Sequence, residues 1–182
     1  MKLLIHTIDS APEASRPLLD GLTADVGFVP HLAAVAAESP TLLAAFDALR
    51  RVVGAGELEA TGREVAGLAT GVAVDNAYGV AFHSTVLGRL GVAEPEIGRM
   101  RAGQPPLDAR SAAIYTLAQA VVTERGKVSD AVVDQATAAG LSTAEILEVV
   151  AECAFASLVG IVDNLAGRVE LDEFLRPRAW VG

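Results

Sequence analysis

The longest apolar run in the chain, from Ile146 to Val162, is interrupted by Glu148 and Glu152. That pattern suits a long helix buried within a helical protein, not a membrane span. Ser142 and Glu145 stand just ahead of the run with the S/T-x-x-E spacing of a capping box, in which both side chains satisfy backbone N–H groups at a helix start. The rest of the chain carries similar punctuation. Ser39-Pro40 places an N-cap and a first-turn proline before TLLAAFDALRRVV, where Leu42, Leu43, Phe46, Leu49, Val52 and Val53 share one face. Asp108 opens a helix to about Glu124 that stops near Gly126, Ser129 opens a short one stopped by Gly140, and EPEIGRM makes a brief one. The helix after Ser142 is predicted to reach Arg168. No stretch alternates with period two, so the predicted fold is all-α.

With 182 residues, the chain fits a single domain, 1–182, with a core of its own. It divides into an N-terminal helical segment (1–56), a helical hairpin (57–92) and C-terminal helices (94–182), with GQPPLD as a loop between halves. Hydrophobic residues make up 52% but aromatic ones only 4%, so the apolar mass is mostly Ala, Val and Leu. Such a composition packs helices closely. Mean hydropathy of +0.41 is more apolar surface than one small core readily hides, which predicts a homo-oligomer. Fourteen basic and twenty-three acidic residues give a net charge of −9 without any Lys/Arg cluster. Nucleic acid and anionic membrane surfaces are therefore poor partners. The opening MKLLIHTIDS is too short an apolar patch for a signal peptide, so a cytoplasmic location is expected. The tail ELDEFLRPRAW is amphipathic, and its tryptophan is expected to pack onto a neighbour.

The stretch EVAGLATGVAVDNAYGVAFH, residues 64–83, carries the chemistry. It reads as a hairpin with one helix from about Glu59 or Thr61 to Val74, a corner at Asp75-Asn76, and a second helix from about Ala77 to Leu90. Gly79 and His83 lie four residues apart and share a face, which predicts an empty space beside the imidazole. The spacing Glu64, Asn76, Gly79, His83 resembles the core motif of the alkylhydroperoxidase D and carboxymuconolactone decarboxylase superfamily. Its redox members carry a CxxC where this chain has NAYG. GFVPHLAAVAAESP (27–40) and DNLAGRVELDEF (163–174) look like the upstream and closing segments of the peroxidase-related branch, so the resemblance covers most of the chain. It implies an AhpD-like helical fold, homo-oligomers, and a site at the start of the second hairpin helix. In the family's peroxidases a thiolate attacks the hydroperoxide, a second thiol resolves the sulfenic acid, and the glutamate and histidine relay protons. Asn76 and Gly79 can do neither thiol step. The decarboxylase branch works by acid/base chemistry and is the better template.

Glu64 and His83 are thus the candidate catalytic pair, with Asn76, Tyr78 and Gly79 as candidate substrate-binding residues. Each also has a plainer reading. Thr61-Gly62-Arg63-Glu64 is itself an S/T-x-x-E pattern, so Glu64 would merely tie down a helix start. His83 would be a satisfied core histidine, Asn76 an ordinary N-cap, and Tyr78 a core residue. The single cysteine, Cys153, sits in an apolar helix segment and should behave as a small hydrophobe, with no intrachain disulfide possible. His6 is expected to be solvated, and His31 to lie near the site without a visible partner. Three scattered histidines make a metal site improbable, and no cofactor is expected. The functional expectation is an acid/base enzyme, of decarboxylase or isomerase type, on a small carbonyl or lactone ligand. The alternative is a non-catalytic binder or scaffold, and a thiol hydroperoxidase conflicts with NAYG.

Overall fold

The computed structural model describes residues 3–181; the first two residues of the MKLLIHTIDS stretch lie outside them. Among the described residues there are nine α-helices and no strand. They are α1 Arg16–Val26, α2 His31–Ala36, α3 Pro40–Gly54, α4 Ala60–Ala73, α5 Ala77–Arg89, α6 Glu94–Arg101, α7 Ala109–Thr123, α8 Asp130–Ala138 and α9 Thr143–Ala166. Two short 3-10 helices flank them, Glu13–Ser15 and Glu173–Arg178.

Local chemistry sets several of these boundaries. The Ser39 side chain accepts the Leu42 N–H ahead of α3, and Asp108 accepts the Ser111 N–H ahead of α7. Ser142 and Glu145 form the full reciprocal capping box of α9. That helix ends at Ala166, two residues earlier than predicted, because Gly167 turns into the left-handed region at φ 76°. α4 and α5 form the expected hairpin, with the corner at Asp75-Asn76.

α4 is the centre of the arrangement and packs against α5, α7 and α9. One core cluster gathers Val65, Leu68, Tyr115, Leu117, Val149 and Cys153 around it. A second joins the N-terminal helices to α5 and the tail through Leu19, Leu22, Leu43, Phe46, Tyr78 and Leu175. Trp180 packs onto the first cluster, and its indole N–H donates to the Arg101 carbonyl at 3.2 Å. No helix among the described residues is long and apolar enough to cross a membrane.

Two expectations fail here for reasons of packing. On α3, Leu43 and Phe46 are buried as predicted, but Val52 is 67% exposed and Asp47 is buried instead. Asp47 is held there by ion pairs with Arg50 and Arg51, and both arginines also reach Asp25 on α1. His6 is buried, not solvated. The segment before α1 runs along α2, with the His6 N–H donating to the Ala34 carbonyl. Its ring Nε2 lies 2.8 Å from Glu38.

Candidate active site

Where the two core clusters meet, α1, α3, α4, α5, α9 and the tail line a half-open cavity of about 370 Å³. All five phenylalanines of this aromatic-poor chain line it: Phe28, Phe46, Phe82, Phe155 and Phe174. Four of them form two contacting pairs, and Phe82 meets the His83 ring edge-on. Phe28 meets Phe174 edge-on with centroids 5.4 Å apart, and Phe46 meets Phe155 at the same distance. The Arg89 guanidinium stacks on the Phe174 ring at 5.1 Å. The result is an aromatic chamber.

Glu64, His83 and Glu152 bring polar groups into the same wall. Glu64 does not cap α4. The helix begins two residues earlier, after Glu59, so Thr61 already lies inside it and the capping-box alternative is removed. The Glu64 carboxylate instead lies 2.8 Å from His83 Nδ1. A carboxylate only accepts, so Nδ1–H donates to it and the unprotonated position of the neutral ring is Nε2. Burial opposes a charge on this 7% exposed imidazole. The Glu64 hydrogen bond and charge, with Glu152 adding its own, outweigh that and hold its pKa above the ordinary histidine value.

The space around His83 is not made by the glycine the sequence suggested. At Gly79 a side chain would meet the Asn76 carboxamide, 2.2 Å from Nδ2, so the predicted empty space is filled by the cap. At Gly67, on the facing helix, a Cβ would lie 2.2 Å from His83 Cε1 and 2.5 Å from Nε2. Gly67 is what lets the imidazole lie flat against α4.

The remaining candidates divide between wall and scaffold. Gly79 and Tyr78 line the cavity, but Asn76 does not. Fully buried, Asn76 accepts the Gly79 N–H at 2.8 Å as the N-cap of α5, and its Nδ2 has no partner among the described residues. The Tyr78 ring forms wall while its hydroxyl donates to Asp172, so that hydroxyl is engaged and not offered to a ligand. Burial and the adjacent Asp172 raise the Tyr78 phenol far above its ordinary range. Asp172 also accepts the His31 N–H at 3.2 Å, and the His31 ring binds the Glu170 carbonyl at 2.9 Å. His31 thus braces the tail against α2 outside the cavity wall. Cys153 is 2% exposed and accepts a hydrogen bond from Thr70, and burial pushes its thiol up to about 11. It lies in the core and not in the cavity.

No protein-family model matches the sequence, and no curated protein does. Solved structures do match. An alkylhydroperoxidase AhpD core protein from Ralstonia eutropha JMP134, described as an uncharacterized peroxidase-related protein, superposes with a TM-score of 0.82. The match covers 96% of this chain and 94% of that one at 21% identity. This chain has the AhpD-like fold. A peroxidase-related protein from Silicibacter sp. TM1040 agrees at TM-score 0.77 and 16% identity, covering 95% of this chain and 91% of that one. So does the debrominase Bmp8, as a cysteine-to-alanine variant in complex with 2,3,4-tribromopyrrole, at TM-score 0.77 and 16% identity over 97% and 96% of the two chains.

Within this AhpD-like fold two residues of the site escaped the sequence reading. Glu152 had a signal, a carboxylate in an apolar run, but it served only as an argument against a membrane span. Gly67 had none. Its role depends on which side chain of α5 faces it.

Proposed function

We propose that this protein is an acid/base enzyme acting on a small ring-bearing carbonyl or lactone compound, by isomerisation or decarboxylation. The observation that carries the reading is the Glu64–His83 hydrogen bond in the wall of a cavity that collects every phenylalanine of the chain. Glu64 fixes the imidazole's tautomer and favours its charged form, and Nε2 takes or returns the substrate's proton. The aromatic walls suit a planar ring. Bmp8, with the same fold, is seen with 2,3,4-tribromopyrrole, another small planar ring. Thiol peroxidation finds no support, because NAYG holds no sulfur and Cys153 is sealed in the core.

The test uses 2-indanone, a compact aryl ketone, with loss of its α-protons in D2O followed by NMR. The wild-type protein is expected to accelerate exchange, and Glu64→Gln and His83→Asn each to lower the rate about 10²-fold with the fold retained by circular dichroism. Exchange rates equal in wild type and both variants would sink the enzyme reading and leave a binding protein.

Self-association belongs to the same proposal. The outer face of α9 exposes Leu147, Val150 and Ile161, between 42% and 64% each. A stripe of that kind on one helix is suited to a second copy. Light scattering at micromolar concentration is expected to give a multiple of the 18.7 kDa chain mass, and a monomer mass would refute it.

A further inference from the structure

Four carboxylates are buried among the described residues, and three have donors. Asp47 pairs with Arg50 and Arg51, Asp163 accepts the N–H groups of Tyr78 and Val169, and Asp172 accepts the Tyr78 hydroxyl and the His31 N–H. Glu152 differs. It is 4% exposed, takes part in no hydrogen bond or ion pair among the described residues, and lines the cavity. A buried carboxyl without a partner costs stability, and the cavity that Glu152 lines is open to a ligand that could supply one.

We propose that Glu152 recognises the ligand's oxygen: its carboxylic acid donates a hydrogen bond to a carbonyl or enolic oxygen on a ring held among the phenylalanines. This deepens the acid/base reading and rests on it for the chemical step. Burial raises the Glu152 carboxyl to about 7, against the pull of His83 and Arg63 and with the help of the Glu64 charge. Between the ordinary 4.5 and about 7 it therefore keeps a proton that an ordinary glutamate has lost. In the step, His83 Nε2 takes a proton from the carbon beside the carbonyl, and the C–H electron pair becomes a C=C bond. The carbonyl π pair moves onto oxygen, which takes the Glu152 proton, leaving an enol, an imidazolium and a carboxylate. Return of the enol proton to Glu152 and of the imidazolium proton to carbon closes an isomerisation without any further reactant.

Binding of 4-nitrophenol, read by its absorbance near neutral pH, tests the oxygen contact without turnover. 4-Nitrotoluene, the same ring without the hydroxyl, is the control, read by calorimetry. Glu152→Ala is expected to weaken nitrophenol binding at least about 10-fold, the size of a hydrogen bond to an ionic group, and to leave nitrotoluene unchanged. Glu152→Gln keeps the volume and one donor and should lose less. Equal nitrophenol affinity in wild type and Glu152→Ala overturns the proposal, as does absence of binding to the wild type. Parallel weakening of both probes overturns it too, since that reports cavity shape and not oxygen recognition. A failed 2-indanone exchange removes the enzyme reading alone, because the two experiments share no readout.

Discussion

Gly67→Ala is expected to lower 2-indanone exchange about 10²-fold, as much as loss of the histidine itself, while the protein still folds. The added methyl would stand 2.2 Å from His83 Cε1, closer than any carbon pair tolerates, so the ring must move. It cannot move freely, because Nδ1 is tied to Glu64 at 2.8 Å. Overpacking of this kind costs about 1–3 kcal/mol. Replacing a mid-helix glycine by alanine returns about 1 kcal/mol. The melting temperature should therefore fall modestly and the activity steeply. Gly79→Ala makes the contrast, since its methyl presses on the Asn76 cap and should act on stability before it acts on turnover. A Gly67→Ala protein exchanging at the wild-type rate would show that the imidazole does not lie against α4.

The second large effect is on stability against pH. Folding lifts Glu152 from an ordinary 4.5 to about 7. Between those values the folded protein keeps a proton that the unfolded chain has released, so stability falls as pH rises through the window, by about 3 kcal/mol in all. His83 acts in the same direction. Its pKa is raised by folding, so its contribution is complete below the ordinary 6.5 and is lost as pH rises through the folded value. The carboxylates that folding lowers, Asp47, Glu94, Asp108 and Glu145, are fully ionised in both states above their ordinary 3.8 or 4.5 and add no slope there. Wild-type protein should thus unfold at lower urea at about pH 8 than at about pH 5. Glu152→Gln should lose most of that decline and match wild type on the acid side. Equal slopes in the two proteins would mean that Glu152 titrates as an exposed glutamate.

The two predictions rest on parts of the molecule that differ in how readily a sequence discloses them. Helix limits depend on groups three or four residues apart, such as Ser142 with Glu145 or Asn76 with Gly79. Those were legible, and so was the all-α hairpin that sets Glu64 on one helix and His83 on the next. The contact between the pair, nineteen residues apart, was foreseen only through a family resemblance, since neither spacing nor periodicity says which faces of two helices meet. What fills the space beside a glycine was assigned to the wrong glycine. Asn76 occupies the room at Gly79, and the facing Gly67 accommodates His83.

By itself, then, the sequence determined the helices, their caps, the absence of a thiol pair at residues 76–79, and an acid and an imidazole carried on one hairpin. Only the tertiary structure decided that five phenylalanines from five distant segments line a single cavity, and that Glu152 enters it without a donor among the described residues. The physical reason is range. Capping and helical periodicity are settled within a turn or two of the chain. The burial of a carboxylate and the gathering of aromatic rings depend on how α1, α3, α5, α9 and the tail pack, and no short stretch of sequence encodes that.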